Sequence, residues 1–580
     1  MAGTAPTSAR ALRVPARGRL PAQGLLPATV AALVAYLTLL PLIFLLYGTF
    51  FTPTVGGVAG TFTLQNYVRA YTDRSAAGIL LDSLTFAVGA ALVAFAIGAT
   101  LAWITERTDT PLRGLFFAMS LIPLIIPGIL FTLSWIFLLS PRIGLLNLWI
   151  ARLLALGAPP FDIYSMGGMI WVEGLHWSPV VYLMMSAAFR SMDPALEEAA
   201  VMSGGGVLQT LYHITLKLNV PAILGAFLIL FLRGLETFEV PAIIGLPAGI
   251  RVLTSKIYLA VKGYPSDFGL AGAYSTMLLL VTLTGLYLYG RVTREASRYA
   301  TVTGKGFRPR VIDLGPWRYL TAALIVAYLA LLVGLPVFVL LWNSVLPFYM
   351  KPSLAALSML TTKNFTFVLA VPKTTRAVVN SIGLAIGSAT IIMLMTSVIA
   401  WITVRSRLPG RWLLDHLATL PLIFPGVVMG VALIWVYVTL PIPIYGTIWI
   451  LLVAYVTRYL PYGMRTTSAA LLQIHRELEE AAETSGAGWW RTFQNVVLPL
   501  LRPALLAGWM YVVIVSMREL SSSILLWGPG AEVLPVWIFD LWQTGHPQEL
   551  SALGLMLVAV LFALAILSQH LTRRFGVQHE

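Results

Sequence analysis

DSLTFAVGAALVAFAIGATLAWIT occupies residues 82–105 and NSIGLAIGSATIIMLMTSVIAWIT residues 380–403. After Asp82 the first string holds no charged residue, and the second holds none. Each is long enough, as a helix, to cross a hydrocarbon core about 30 Å thick. Asp82-Ser83 aligns with Asn380-Ser381, and Trp103-Ile104-Thr105 with Trp401-Ile402-Thr403, at a constant offset of 298. A membrane-spanning pattern has been written twice, and that duplication decides the architecture.

The same register continues through Pro111/Pro409, Arg113/Arg411, Pro123/Pro421, Pro127/Pro425 and Gly128/Gly426. Further on, Glu198-Ala199-Ala200 aligns with Glu480-Ala481-Ala482 at an offset of 282, so the first copy carries a longer loop near 140–167. Nearly uncharged runs predict spans near 27–51, 79–104, 115–139, 168–188, 222–247 and 270–290, then near 319–343, 378–403, 413–439, 445–470, 504–526 and 551–571. Six spans per copy is an even number, so both copies run the same way across the bilayer, related by an axis along its normal. The expected fold is all-α, with about twelve transmembrane helices in two parallel six-helix repeats. The first repeat covers 1–290, a basic linker 291–318 and the second repeat 319–580. Gly304, Gly306, Pro309, Gly315 and Pro316 break helix in that linker.

Composition agrees: 58% of the residues are hydrophobic and 11% charged, against roughly half and a quarter in an average soluble chain. A formal charge of +14 invites a nucleic-acid reading, but its placement argues otherwise. Of 38 Lys and Arg, 23 fall in segments that share a side with the N-terminus and 11 in the opposite loops. The remaining four, Arg233, Arg458, Arg465 and Arg518, lie within spans. The positive-inside rule therefore predicts both termini in the cytoplasm and no nucleic-acid partner. The linker's basic residues can also meet anionic membrane lipid. Four arginines before Leu25 mimic a signal peptide, but the run from Leu25 to Phe51 is too long for one and is kept as the first span. Absence of cysteine excludes disulfides, Cys-ligated zinc and thiol catalysis.

After the fourth span the chain reads Leu196-Glu197-Glu198-Ala199-Ala200-Val201-Met202-Ser203-Gly204, then after nine residues Ile214-Thr215-Leu216-Lys217. The second copy reads Leu478-Glu479-Glu480-Ala481-Ala482-Glu483-Thr484-Ser485-Gly486, then Val496-Val497-Leu498-Pro499. Acidic residues suit the positive end of a helix dipole, small alanines admit a close partner and glycine ends the helix. A surface helix could carry Glu-Ala-Ala by chance, but not the repeated glycine and the repeated spacing after it. Both stretches resemble the E-A-A-x3-G-x9-I-x-L-P loop of ABC importer permeases, except that Lys217 stands where the second copy has Pro499.

The resemblance implies a MetI-like core in a bacterial inner membrane. It implies two ATPase subunits docked on the cytoplasmic loops, through Glu197, Glu198, Ala199, Ala200, Gly204, Glu479, Glu480, Ala481, Ala482, Gly486 and Pro499. It also implies a solute-binding protein outside. Met202-Ser203-Gly204-Gly205-Gly206 imitates an ATPase signature, but no G-x-x-x-x-G-K-[ST] occurs, so ATP hydrolysis belongs to a separate subunit. No span carries a catalytic triad or a metal-ligand spacing, so no catalytic residue and no cofactor is expected in this chain. Its isolated histidines read as structural.

Charges inside spans mark pathways. The fifth span carries Arg233, Glu236 and Glu239, expected on one helical face, and its counterpart carries Arg518 and Glu519. Leu235-Glu236-Thr237-Phe238-Glu239-Val240-Pro241 and Arg518-Glu519-Leu520-Ser521 resemble the fused two-half ferric-iron permease family. That resemblance implies a ferric cargo, which favours oxygen ligands, although thiamine, polyamine and phosphonate permeases share the layout. Two accounts of Glu236 and Glu239 stand: they line the route, or they neutralise Arg233. An ion-coupled secondary transporter also shows twelve spans in two parallel halves, but lacks paired coupling loops.

The orientation is open to direct measurement. A cysteine placed at Gly304 is expected to react with an impermeant thiol reagent from the cytoplasmic side only, and one at Thr362 from outside only; the reverse labelling overturns the topology.

Overall fold

The computed structural model describes residues 22–51, 61–120, 122–192, 194–204, 206–296, 311–406 and 408–574. The linker positions Gly304, Gly306 and Pro309 lie outside these residues. The first half is built from α1 (Ala22–Thr49), α2 (Arg74–Arg107), α3 (Gly128–Leu139), α4 (Met166–Arg190), α5 (Pro194–Met202), α6 (Val220–Glu236) and α7 (Phe268–Ala296). The second contains α8 (Trp317–Leu329), α9 (Leu335–Ser344), α10 (Pro372–Arg405), α11 (Gly426–Thr439), α12 (Ile448–Gln473), α13 (Glu477–Thr484), α14 (Leu498–Met517) and α15 (Pro547–Arg574). Among the described residues, pairing of the β type is confined to isolated bridges.

Local chemistry sets the starts and stops. The Asp73 carboxylate accepts the Ser75 N–H at the start of α2, and Ser165 Oγ accepts the Gly168 N–H at the start of α4. Pro127 and Pro425 stand immediately before α3 and α11. Proline cannot donate to a continuing ladder, and the chain bends by 111° between Arg411–Ile423 and α11.

Among the described residues, seven helices are long and apolar enough to cross a membrane, or up to ten when each sharply bent pair counts as one span. Two of the twelve expected spans, α4 and α12, are not among them, although they run 25 and 26 residues. They carry Glu173 and His176, and Arg458 and Arg465, respectively. The spans expected at 222–247 and 504–526 are not continuous helices. They stop at Glu236 and Met517, and each chain later re-enters as a short helix, Leu253–Lys262 or Leu534–Gln543. Ser83 Oγ receives the Leu253 N–H at 2.9 Å, and Ser381 Oγ receives the Leu534 N–H at 2.8 Å. The serines of the opening repeat thus pair a backbone donor at each re-entry, where an unpaired one would be costly in a bilayer.

Within each half α2 packs along α4 and α6, as α10 packs along α12 and α14. The halves also exchange their first elements. α1 lies on α11, and α9 lies on α3. α3 and α11 are apolar all round and almost wholly buried, as such helices must be when protein surrounds them. Tyr36 and Tyr437 share a hydroxyl hydrogen bond of 2.8 Å across the α1–α11 contact, and Tyr349 donates to the Ile143 carbonyl between the halves. Near the carboxyl end of the linker, Ile312 is clipped to the end of α2, donating to the Arg107 carbonyl at 2.8 Å and accepting from the Asp109 N–H at 3.1 Å.

Gly48 of α1 lies so close to the Trp435 indole that a Cβ there would fall 2.2 Å from the ring. Gly48→Ala should therefore separate α1 from α11 and cost about 1–3 kcal/mol, read as a lowered melting midpoint of the purified chain in detergent. An unchanged midpoint would show that this contact does not hold the halves together.

Candidate functional site

Two places bring together the sequence-predicted site residues: a pair of short helices at the ends of α4 and α12, and a cavity between the halves.

α5 and α13 are the Glu-Glu-Ala-Ala helices. Glu197 and Glu479 turn inward and are buried, whereas Glu198 and Glu480 are exposed with Ala199 and Ala481. Ala200 and Ala482 are half-buried. Arg107 at the end of α2 reaches Glu197 at 3.4 Å, and Arg405 at the end of α10 reaches Glu479 at 2.8 Å. Thr215 adds a hydroxyl donor to Glu197 at 2.7 Å. Gly204 and Gly486 adopt φ of +86° and +85°; space around each is open, so the left-handed backbone is what calls for glycine. A π turn follows in each half, Leu211–Thr215 and Phe493–Val497, again 282 residues apart. Pro499 sits in the first turn of α14, half-buried, where its missing N–H costs nothing. Lys217 is exposed.

The cavity encloses about 370 Å³ and is lined from both halves. α4 supplies Glu173, His176 and Trp177; the last turn of α6 supplies Arg233 and Glu236, and the break after it Thr237 and Glu239. α12 supplies Arg458, Tyr459 and Tyr462; the segment after α14 supplies Arg518, Glu519 and Ser521. In register at 282, His176 corresponds to Arg458, Glu236 to Arg518, Thr237 to Glu519 and Glu239 to Ser521. Equivalent positions hold different chemistry, so an acid-rich first wall faces a base-rich second wall.

Glu519 is enclosed. It meets Arg458 at 3.0 Å and accepts from Tyr459 at 2.6 Å and from the Ser522 N–H and hydroxyl at 2.9 and 3.0 Å. Glu173 accepts from Thr237 at 2.6 Å and Trp177 at 2.9 Å. Arg233 meets Glu236 at 3.4 Å, donates to the Tyr462 hydroxyl at 2.9 Å and lies over the Trp177 ring. Arg518 donates to the Leu124 carbonyl. Glu239 enters no ion pair among the described residues. Its carboxyl and the His176 imidazole both border the space above Gly128, within 3.8 and 3.9 Å of where a Cβ would stand, and His176 Nδ1 is buried without a hydrogen-bond partner. No group of three or more His, Asp or Glu among the described residues is placed to hold a metal ion.

The expected single helical face is corrected here. Helix α6 ends at Glu236, Thr237 is extended with ψ of 136°, and Glu239 begins a separate turn, so three side chains reach one cavity from two elements. The two accounts of these glutamates also divide: Glu236 neutralises Arg233 and Glu239 does not. Sequence reasoning passed over Arg107, Arg405, Glu173 and Arg458 as site residues and took His176 for an isolated structural histidine. A usable signal existed, because Arg107/Arg405 share the 298 register and His176/Arg458 the 282 register.

Comparison with known proteins matches residues 93–295 and 394–577 to the family described as binding-protein-dependent transport system inner membrane component. A candidate ferric transport system permease protein, FbpB 1, of Haemophilus influenzae is 26% identical over 80% of this chain and 73% of its own length. Ferric transport system permease protein FbpB of Actinobacillus pleuropneumoniae is 26% identical over 70% of this chain, which spans 58% of that relative. Spermidine/putrescine transport system permease protein PotC of Haemophilus influenzae is 30% identical, over 34% of this chain and 77% of its own.

The contrast between the enclosed and the unpaired glutamate is measurable. Glu519→Gln strands Arg458 and should cost about 3–5 kcal/mol, largely restored by adding Arg458→Met. Glu239→Gln should stay within about 0.5 kcal/mol of the parent. Equal losses in melting experiments would contradict the assignment.

Proposed function

Because the chain belongs to the binding-protein-dependent transport system inner membrane component family, we propose that it forms both membrane halves of an ATP-driven importer of ferric iron. The observation that carries this reading is the duplicated helix at α5 and α13, pinned inward by Glu197 and Glu479 and presenting Glu198 and Glu480 outward. Two similar knobs at equivalent positions of the two halves suit two like partners, and ATPase subunits act in pairs. Both knobs, and both termini, then lie in the cytoplasm, a placement that the distribution of basic residues supports. A binding protein delivers the cargo at the opposite face.

Ferric iron is favoured as cargo by the relatives named above and by the chemistry of the first wall. A hard cation takes oxygen ligands, and Glu239 offers the cavity a carboxylate that enters no ion pair among the described residues. Cargo must leave as readily as it enters, so an open carboxylate suits passage better than a closed cage. Family membership sets aside the ion-coupled secondary transporter.

In vesicles holding the chain with its ATPase and binding protein, Glu198→Arg with Glu480→Arg should lower cargo-stimulated ATP hydrolysis by about a hundredfold, since two docking charges are reversed. Unchanged stimulation would remove the docking assignment. In the same vesicles, ferric ion should be the cargo taken up; uptake of thiamine, a polyamine or a phosphonate in its place would overturn the iron reading and leave the importer reading intact.

A further inference from the structure

One guanidinium in each half touches three elements at once. Arg107, on α2, donates from Nη2 to the Phe189 carbonyl in the last turn of α4 at 3.0 Å and meets Glu197 of α5 at 3.4 Å. Arg405, on α10, donates from Nη2 to the Leu471 carbonyl in the last turn of α12 at 3.0 Å and meets Glu479 of α13 at 2.8 Å. The arginines are 298 residues apart, and the carbonyls and glutamates 282 apart, so the arrangement recurs residue for residue, although Arg107 meets its glutamate through Nη1 and Arg405 through Nε. The Arg107 side chain is 1% exposed and that of Arg405 12%. A helix's final carbonyls lack intrahelical partners and favour a cation; here one cation also holds the next helix.

Only three residues separate α4 from α5, and three separate α12 from α13. Such a corner is a joint, free to flex unless braced. α4 and α12 are also the helices that carry Glu173, His176 and Trp177, or Arg458, Tyr459 and Tyr462, to the cavity. Trp177 stands twelve residues before Phe189, roughly 18 Å along the helix. A push on α5 reaches the cavity wall only if the corner does not absorb it.

We infer that Arg107 and Arg405 are positioning residues that lock each Glu-Glu-Ala-Ala helix to the cavity-lining helix before it, so that ATPase movement becomes movement of the cavity wall. This rests on the proposed importer function and deepens it, since the brace neither touches cargo nor forms the exposed docking face. Removing it frees the joint: the ATPase still docks on Glu198 and Glu480 and still turns over, but its stroke is spent at the corner.

The test uses the whole complex in vesicles, with ferric ion loaded on the binding protein, and reads ATP hydrolysed and iron taken up together. Arg107→Met with Arg405→Met should leave hydrolysis within about twofold and raise the ATP consumed per ion by about tenfold or more, within the range of coupling free energies. Each arginine is also changed alone, and Glu197→Gln with Glu479→Gln removes the charge from the same brace while leaving the arginine–carbonyl hydrogen bonds in place; these variants should raise the ratio by smaller amounts. Arg107→Lys with Arg405→Lys, which keeps the charge but cannot fork between carbonyl and carboxylate, should recover part of the coupling. Should the double Met chain fail to fold, the single and Gln variants decide by the same ratio. A wild-type ratio in them, or hydrolysis and uptake falling in proportion, overturns the brace. Failure of the importer reading looks different, because the unaltered chain would then not co-purify with the ATPase.

Discussion

A helix that stops inside a bilayer leaves backbone donors and acceptors with no water to meet them, and this constraint organises the molecule. Each half interrupts its helices beside proline and again after α6 or α14. These interruptions are tolerable only where protein or a polar cavity supplies partners. Ser83 and Ser381 supply them at the re-entrant helices, and the Leu124 carbonyl, left by the break before α3, is met by Arg518. The cavity and the broken helices are thus one feature. Without the breaks the charged side chains would face a continuous apolar wall, and without the charged side chains the breaks would strand backbone in hydrocarbon.

Duplication of the backbone has not brought duplication of the chemistry. The serine hydrogen bonds, the π turns and the arginine contacts recur in both halves, whereas the cavity positions have diverged. His176 faces Arg458 in register, and Glu236 faces Arg518. A symmetric pair of identical subunits could not place an acid-rich wall opposite a base-rich one, because every carboxylate would appear on both sides. Fusion of the halves permits a polarised chamber inside a symmetric frame.

The frame was legible because long uncharged runs, repeated at fixed offsets, depend on local composition alone. The Glu-Glu-Ala-Ala helices and their glycines were legible for the same reason. What could not be read were partners distant in sequence: that Glu197 turns inward while Glu198 turns outward depends on Arg107, some ninety residues earlier. The break after Glu236 was hidden because Leu235-Glu236-Thr237 carries no glycine or proline, and Pro241 lies five residues past the helix end. Polar residues in α4 and α12 were individually visible, but only their convergence on one chamber distinguishes a lining residue from an isolated one.

The exchange of first elements between the halves has a bearing on how the chain is made. Tyr36 and Gly48 meet Tyr437 and Trp435, residues that a ribosome reaches nearly four hundred codons later. At about 5–20 residues per second that interval is roughly 20–80 s. During it α1 sits in the lipid with its seam unoccupied, exposing a glycine notch and a tyrosine hydroxyl to whatever neighbours the nascent membrane provides. A newly inserted amino-terminal half is therefore an open clasp until α11 arrives to close it.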